Sequence, residues 1–257
     1  MERRFAIIGA GAVGSHLALA LKKSGQQITQ IISRGVKSGQ VLANELDAVF
    51  AERPEELEED ISHILLTLPD QAILDVIFRL PRRDSILIHT SGSFPMEQLE
   101  IFGPKFGVLY PLQSFTKYLK PKWEEIPFFV EASSGDIESD LMKLVEEIGT
   151  KSVLLDSEKR IKLHMAAVFA SNFTNYLQGK AQKLMSEIGL SDELIKPLVV
   201  ETIRKSFELG AKDAQTGPAR RGDDDTIKKH LDLLSCCEME RNLYQTLSES
   251  IWEEFKK

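Results

Sequence analysis

The sequence is poor in cysteine, with only two in 257 residues. They are adjacent, Cys236 and Cys237, so they supply neither a disulfide framework nor a Cys-x-x-Cys metal clip. They read as buried or semi-exposed bystanders in a reduced setting. Metal-ligand spacing is missing among the five histidines, His16, His63, His89, His164 and His230, so no structural metal is expected. Basic charge is in deficit, with 32 Lys and Arg against 39 Asp and Glu, a formal charge of −7. That balance argues against a nucleic-acid-binding surface, while leaving room for a local basic pocket. No apolar run approaches the length of a bilayer span, so no membrane partner is expected. Met1-Glu2-Arg3-Arg4 leads straight into a strand, which leaves no room for a secretory leader and predicts a cytoplasmic protein. Internal repeats and low-complexity tracts are absent.

What is present is an ordinary core-forming composition, 42% hydrophobic and 28% charged, in a chain long enough for two domains. The organising stretch is Phe5-Ala6-Ile7-Ile8-Gly9-Ala10-Gly11-Ala12-Val13-Gly14. An apolar strand runs into Gly-x-Gly-x-x-Gly, and Ser15 to Leu21 continues as a helix, the context in which this pattern binds dinucleotides. Gly9 takes the tight turn, Gly11 lets backbone approach a pyrophosphate, and Gly14 lets helix and strand pack closely. The unpaired amides of the first helical turn, at Ala12, Val13 and Gly14, carry partial positive charge that favours a phosphate. A second strand, Gln27 to Ile32, ends in Ser33-Arg34, where an NAD site usually places Asp or Glu for the ribose 2′-hydroxyl. A hydroxyl and a guanidinium suit a 2′-phosphate instead, which predicts NADP as the cofactor.

Strands and helices alternate as far as Leu155. A helix is expected over Val36 to Leu46, a strand over Ser62 to Leu68 and a helix over Gln71 to Leu80 with Asp70 as its N-cap. Further strands follow at Ser85 to His89, Lys105 to Pro111, Pro127 to Glu131 and Lys151 to Leu155. Ligands in open α/β sheets gather outside the carboxyl ends of the strands. Thr67, Leu68 and Pro69 should therefore edge the cofactor cleft, with Thr90 and Ser91 beside the nicotinamide. From Asp156 the pattern is helical, over Ser157 to Leu184, Asp192 to Leu209 and Thr226 to Phe255. The expected fold is thus α/β, a Rossmann-type, doubly wound, mostly parallel sheet (1–155) followed by an all-α domain (156–257). The helices carry more apolar residues than one short bundle needs, which predicts a homodimer built through them.

Reduction of a ketone or imine needs a proton donor, a grip on the developing oxyanion and, for an acid, a cation for its carboxylate. On the helix that opens the second half, His164, Ser171 and Asn175 share a face, with Asn172 under a quarter turn away. His164 is the candidate acid because imidazole has both proton states near neutrality. Asn172 is a candidate for holding the carbonyl oxygen. Arg221, in Arg220-Arg221-Gly222-Asp223, is a candidate carboxylate clamp, with Asp223 fixing the loop or capping the next helix. Lys162 is a further candidate acid.

Five segments carry a family resemblance: Leu68-Pro69-Asp70, His89 to Ser93, Pro111 to Phe115, His164 to Asn172 and Thr216 to Asp223. With them the whole chain resembles NADP oxidoreductases similar to the deazaflavin-dependent type, pyrroline-5-carboxylate reductase and the ketopantoate reductases. The resemblance implies a Rossmann-like domain joined to a helical domain of unassigned function. It also implies NADP(H)-dependent hydride transfer to a small, anionic carbonyl substrate, for example a 2-keto acid such as ketopantoate. Two departures stand out. The Ser-Gly-Ser-Gly-Pro-Ala helix start of pyrroline-5-carboxylate reductases is missing, and Ala166 stands four beyond Lys162, where β-hydroxyacid dehydrogenases have Asn. Two alternatives remain open: a non-catalytic NADP(H)-binding sensor, and hydride exchange with a flavin-like carrier.

Overall fold

The computed structural model describes residues 3–256. Eight strands form one sheet: β1 (Arg4–Ile8), β2 (Gln27–Ile32), β3 (Val49–Ala51), β4 (His63–Leu66), β5 (Ile86–His89), β6 (Phe106–Pro111), β7 (Phe128–Ala132) and β8 (Ser152–Leu154), in the order β3-β2-β1-β4-β5-β6-β7-β8. The first six are parallel, β7 pairs antiparallel with β6, and β8 runs parallel to β7. The order around β1 is that of a doubly wound dinucleotide fold, whose crevice opens where strand order reverses between β1 and β4.

The apolar runs of the central strands follow from burial on both sides. Phe5, Ile7, Leu65 and Ile88 face α1 (Ala12–Lys23), α2 (Val36–Leu46) and α4 (Gly135–Ile148), meeting Leu17, Leu21, Leu42, Leu141 and Leu144. Their neighbours Ala6, Ile8, Leu66 and Leu87 face α3 (Asp70–Arg79) and the turn Met96–Ile101, meeting Ile73, Ile77 and Leu99. At the amino end of the sheet, Asp140 of α4 accepts hydrogen bonds from Arg3 Nε and His63 Nε2, both at 2.8 Å. Burial raises the pKa of this carboxyl, but these hydrogen bonds outweigh it and bring it down to about 2.

The chain divides into two compact units, one ending at Tyr176 and one beginning at Leu177. The sheet ends at Leu154, close to the expected boundary of 155/156, yet α5 (Ser157–Ala167) belongs to the first unit. The buried Arg160 of α5 binds to β7 and to the loop after β5. α5 continues through a π turn (Val168–Phe173) into α6 (Thr174–Glu187). Then come α7 (Lys196–Leu209), α8 (Ala211–Ala214), α9 (Pro218–Arg221), α10 (Asp224–Leu233) and α11 (Glu238–Phe255).

Two expectations need correction. Asp70 is the first residue of α3 and not its cap; Pro69 holds the cap position, and the Asp70 carboxylate accepts a hydrogen bond from Ser93 Oγ at 2.5 Å. The segment Thr226 to Phe255 is two helices, broken at 234–237, where Ser235, Cys236 and Cys237 are poor helix formers. Cys236 is exposed and Cys237 half-exposed. Within the second unit, Lys180 pairs with Glu240 at 2.9 Å and the Arg220 guanidinium lies 4.9 Å from the Phe255 ring centre. No residue of α6, α7, α10 or α11 is buried. Among the described residues no helix is long and apolar enough to cross a membrane, and no cluster of three or more His, Cys, Asp or Glu is placed to hold a metal.

Candidate cofactor and active site

The turn after β1 is built by close approach. Gly9 has φ +112° and donates to Ile32 O at 2.8 Å. Thr67, just past β4, donates from its hydroxyl to Gly9 O at 2.8 Å and from its amide to Ile8 O at 2.9 Å. A Cβ at Gly9 would stand 2.5 Å from Thr67 O, and one at Gly14 would overlap both Gly9 O and Thr67 Oγ1. At Gly11 a Cβ would meet nothing within 4 Å. Two glycines are therefore filled by the protein's own backbone, and the third looks onto open space. Gly11 is also the cap of α1, with no side chain on the first-turn amides and no acidic residue among them. A pyrophosphate fits such a position.

Beside this turn lies a cleft of about 260 Å³ lined by Gly9, Gly11, Ser33, Arg34 and Thr67 to Pro69, together with Glu52, Pro54, Ala72, Val76 and Arg79. Ser33 is buried and its Oγ accepts from Gly35 N at 3.2 Å, shaping the loop. Arg34 is exposed and its guanidinium makes no hydrogen bond or ion pair among the described residues, whereas that of Arg79 is held by Glu55 at 2.8 Å. The free guanidinium at this place is thus that of Arg34. A groove of about 700 Å³ lined by His16, Val36, Lys37 and Lys117 is larger, but no residue ending β1, β4 or β5 lines it.

The loop after β5 is fixed from several sides. His89 is fully buried and its Nδ1 accepts from Ser91 N at 3.1 Å. Burial, with a smaller contribution from the Arg160 charge, pushes its pKa down to about 3, so this imidazole is neutral. Ser91 Oγ accepts from Ser93 N at 3.1 Å and Phe94 N at 2.9 Å. The Thr90 amide donates to Leu66 O at 3.2 Å. Arg160, 1% exposed, donates from Nη1 to Ser91 O at 2.8 Å and Phe94 O at 3.0 Å. Its Nη2 reaches Glu131 at 3.1 Å and Ser157 Oγ at 2.7 Å. Thr90 and Ser91 therefore sit as a rigid platform at the end of β5, beside Thr67, Leu68 and Pro69.

One turn beyond Arg160, His164 reaches the same platform. Its Nδ1 lies 3.1 Å from the Tyr110 hydroxyl, and a Cβ on Gly92 would stand 2.6 Å from that nitrogen. Nε2 makes no hydrogen bond among the described residues. Asn172 lies exposed in the π turn, a wider coil that recurs at functional sites but shifts the helical phase on which the shared-face expectation rested. Lys162 is exposed and pairs with Glu158 at 2.9 Å. Arg221 stands in the second unit with a loose 3.9 Å pair to Asp223. Asp223 caps α10, accepting from Thr226 N at 3.1 Å.

Sequence reasoning missed Gly92, Tyr110, Glu131, Arg160 and the cleft residues Glu52, Ala72 and Val76. A signal existed for Arg160, since it precedes His164 by four residues and so shares its helix face. None existed for Tyr110, a strand residue 54 positions from its partner.

The sheet, the glycine cradle and the platform define a Rossmann-type, dinucleotide-dependent oxidoreductase. Residues 4–92 match the family model described as NADP oxidoreductase coenzyme F420-dependent, and residues 126–251 match a domain of unknown function, DUF2520. A protein assigned as an NADP oxidoreductase from Bacteroides fragilis is 35% identical, with 98% of each chain covered and a TM-score of 0.90. The fold alone is shared with 1-pyrroline-5-carboxylate reductase from Streptococcus pyogenes, at 13% identity, TM-score 0.62 and coverage of 97% of this chain and 98% of that one. The same holds for an imine reductase from Streptomyces aurantiacus, at 17% identity, TM-score 0.68 and coverage of 97% and 93%. The comparison with curated proteins finds no match. The chain belongs to this NADP oxidoreductase family and is an NADP-dependent enzyme.

Proposed function

We propose that this protein reduces the carbonyl group of a small anionic substrate, a 2-keto acid such as ketopantoate, with His164 as proton donor. The observation that carries the reading is the His164 ring, held at Nδ1 by Tyr110 and bare at Nε2, standing against Gly92 of the loop that follows β5. NADPH, when bound, supplies the hydride. Gly9, Gly11, Ala12, Val13 and Gly14 would hold its pyrophosphate, and Ser33 and Arg34 its 2′-phosphate. Thr67, Leu68, Pro69, Thr90 and Ser91 would edge the nicotinamide. His164 gives a proton from Nε2 to the alkoxide oxygen as it forms. Asn172 is assigned to the carbonyl oxygen, and Arg221, whose guanidinium is only loosely paired, is the second unit's own candidate for a carboxylate.

The test is NADPH oxidation against a panel of 2-keto acids. His164→Ala is expected to lower turnover about 100-fold or more while leaving NADPH affinity unchanged; full turnover in that variant would remove the donor assignment. Tight NADPH binding with no turnover on any acceptor would favour a sensor. A second reading draws on the match of residues 4–92 to a coenzyme F420-dependent family: hydride exchange with a deazaflavin carrier, detected by adding that carrier to the same assay.

Arg34→Ala tests the cofactor site separately. Losing a charged, two-pronged grip on phosphate should raise the KM for NADPH about 10–100-fold and leave NADH almost unaffected. Equal effects on both would show that Arg34 does not read the 2′-phosphate.

We also propose a homodimer. Ile161, Met165, Phe169 and Phe173 leave an apolar stripe exposed along α5 and the π turn, Phe169 at 64%. Phe207 of α7 is 88% exposed. Sedimentation should give twice the chain mass of 28.9 kDa, and a single-chain mass would reject the dimer.

A further inference from the structure

We propose that Tyr110 is a positioning residue for the proton donor: its hydroxyl holds Nδ1 of His164 and so makes Nε2 the nitrogen that gives up the proton. This rests on the reading of His164 as donor, but nothing in the comparisons assigns a role to Tyr110.

Tyr110 sits near the end of β6 with its ring in the core, 8% exposed. Its hydroxyl meets His164 Nδ1 at 3.1 Å, and the two rings stand edge to face, 6.0 Å apart at 74°. Gly92 closes the same side of the imidazole. A side chain there would come within 2.6 Å of Nδ1 and 2.9 Å of the Tyr110 Cζ, so the loop seals Nδ1 from any substrate. Of the two nitrogens of this ring, Nε2 is the one without a partner among the described residues. The helix itself cannot roll away, because Arg160, one turn earlier, is bound to the loop backbone at Ser91 and Phe94 and to Glu131 of β7. Burial raises the Tyr110 pKa, with the Arg160 charge opposing more weakly, so the phenol keeps its proton around neutrality.

A hydroxyl suits this place because it both donates and accepts. With the ring neutral, the Tyr110 O–H donates to a bare Nδ1 and the ring proton sits on Nε2. With the ring charged, Nδ1–H donates to Tyr110 Oη and Nε2–H is left unbonded by the protein. Transfer breaks the Nε2–H bond and forms an O–H bond on the alkoxide. The ring is then neutral, Nδ1 is still held, and solvent water returns the lost proton to Nε2. The ring never needs to turn.

The first test needs no substrate. Long-range 1H–15N spectra of the ¹⁵N-labelled full chain, with the His164 signals identified by their loss in His164→Gln, report which ring nitrogen carries the proton in the neutral form. The expected result is a single Nε2–H form in the wild type and a mixture of both forms in Tyr110→Phe, which keeps the ring and loses the hydroxyl. A wild-type ring protonated mainly at Nδ1, or a spectrum unchanged in Tyr110→Phe, would overturn the proposal. In turnover with a 2-keto acid from the panel, Tyr110→Phe should lower kcat about 10–100-fold, the scale of a misplaced catalytic group, with the KM for NADPH unchanged. Unchanged kcat in Tyr110→Phe beside an inactive His164→Ala would remove the role of Tyr110 and leave the donor in place. An active His164→Ala would remove the donor and, with it, the function proposed for Tyr110.

Discussion

Gly14→Ala is expected to weaken NADPH binding about 100-fold or more and to lower the melting temperature as well. The added methyl would overlap the Gly9 carbonyl and the Thr67 hydroxyl, which are themselves bonded to each other at 2.8 Å. Relief requires helix α1 to move off β1, and that movement carries the first-turn amides away from the phosphate. Gly11→Ala is the matched control. Its φ of −77° and ψ of −173° suit alanine, and no protein atom stands within 4 Å of the new methyl. The fold should keep its melting temperature while NADPH affinity drops, because the methyl fills space meant for the ligand. Titration calorimetry with NADPH and thermal melts of both variants separate the two outcomes. Unaltered affinity in both would show that the cradle is a packing motif alone.

Arg160→Met is expected to destabilise the first unit by about 3–5 kcal/mol, the usual cost of stranding one partner of a buried ion pair. Arg160 is 1% exposed and makes four side-chain hydrogen bonds. Its removal leaves the Ser91 and Phe94 carbonyls without those donors and leaves the part-buried Glu131 carboxylate beside an apolar side chain. Glu131 retains the amide and hydroxyl of Ser157, both at 2.8 Å, so the loss is partial on that side. Combining Arg160→Met with Glu131→Gln removes the stranded charge and should recover part of the stability, read as the urea midpoint. A midpoint within experimental scatter of the wild type for Arg160→Met alone would show that the pair does not hold α5 in place.

The order of strands and helices through Leu154 is legible because each element carries its own period and ends at a glycine, proline or small polar residue. The cradle is legible for a sharper reason, since three glycines at fixed spacing between strand and helix serve backbone geometry and little else. What the sequence conceals are contacts made across it. Arg160 reads as one more charge in Glu158-Lys159-Arg160-Ile161-Lys162, yet its neighbours in that run are solvated while it is buried against residues 66–69 positions earlier. Tyr110 reads as an apolar strand residue because strand periodicity shows which face it takes and not what its hydroxyl meets. Asp70 has the composition of a cap and sits one residue too late for it, since Pro69 occupies the cap position. The break between α10 and α11 has no Gly or Pro to announce it, and the π turn leaves no trace in composition.

The reversed direction of β7 and β8 has an effect on where the imidazole ends up. A chain leaving β8 heads toward the amino-terminal edge of the sheet, so α5 must start low, at the level of Glu131, and ascend alongside β6. Two turns of helix, about 10 Å of rise, then bring His164 level with Tyr110. A last strand pointing the other way would release the chain already at the upper rim, and the same two turns would lift the ring clear of the crevice. The hairpin inversion and the helix together form a ruler, and its zero mark is Ser157. Each residue inserted in the helix between Ser157 and His164 would swing the ring about 100° around the helix axis relative to that mark.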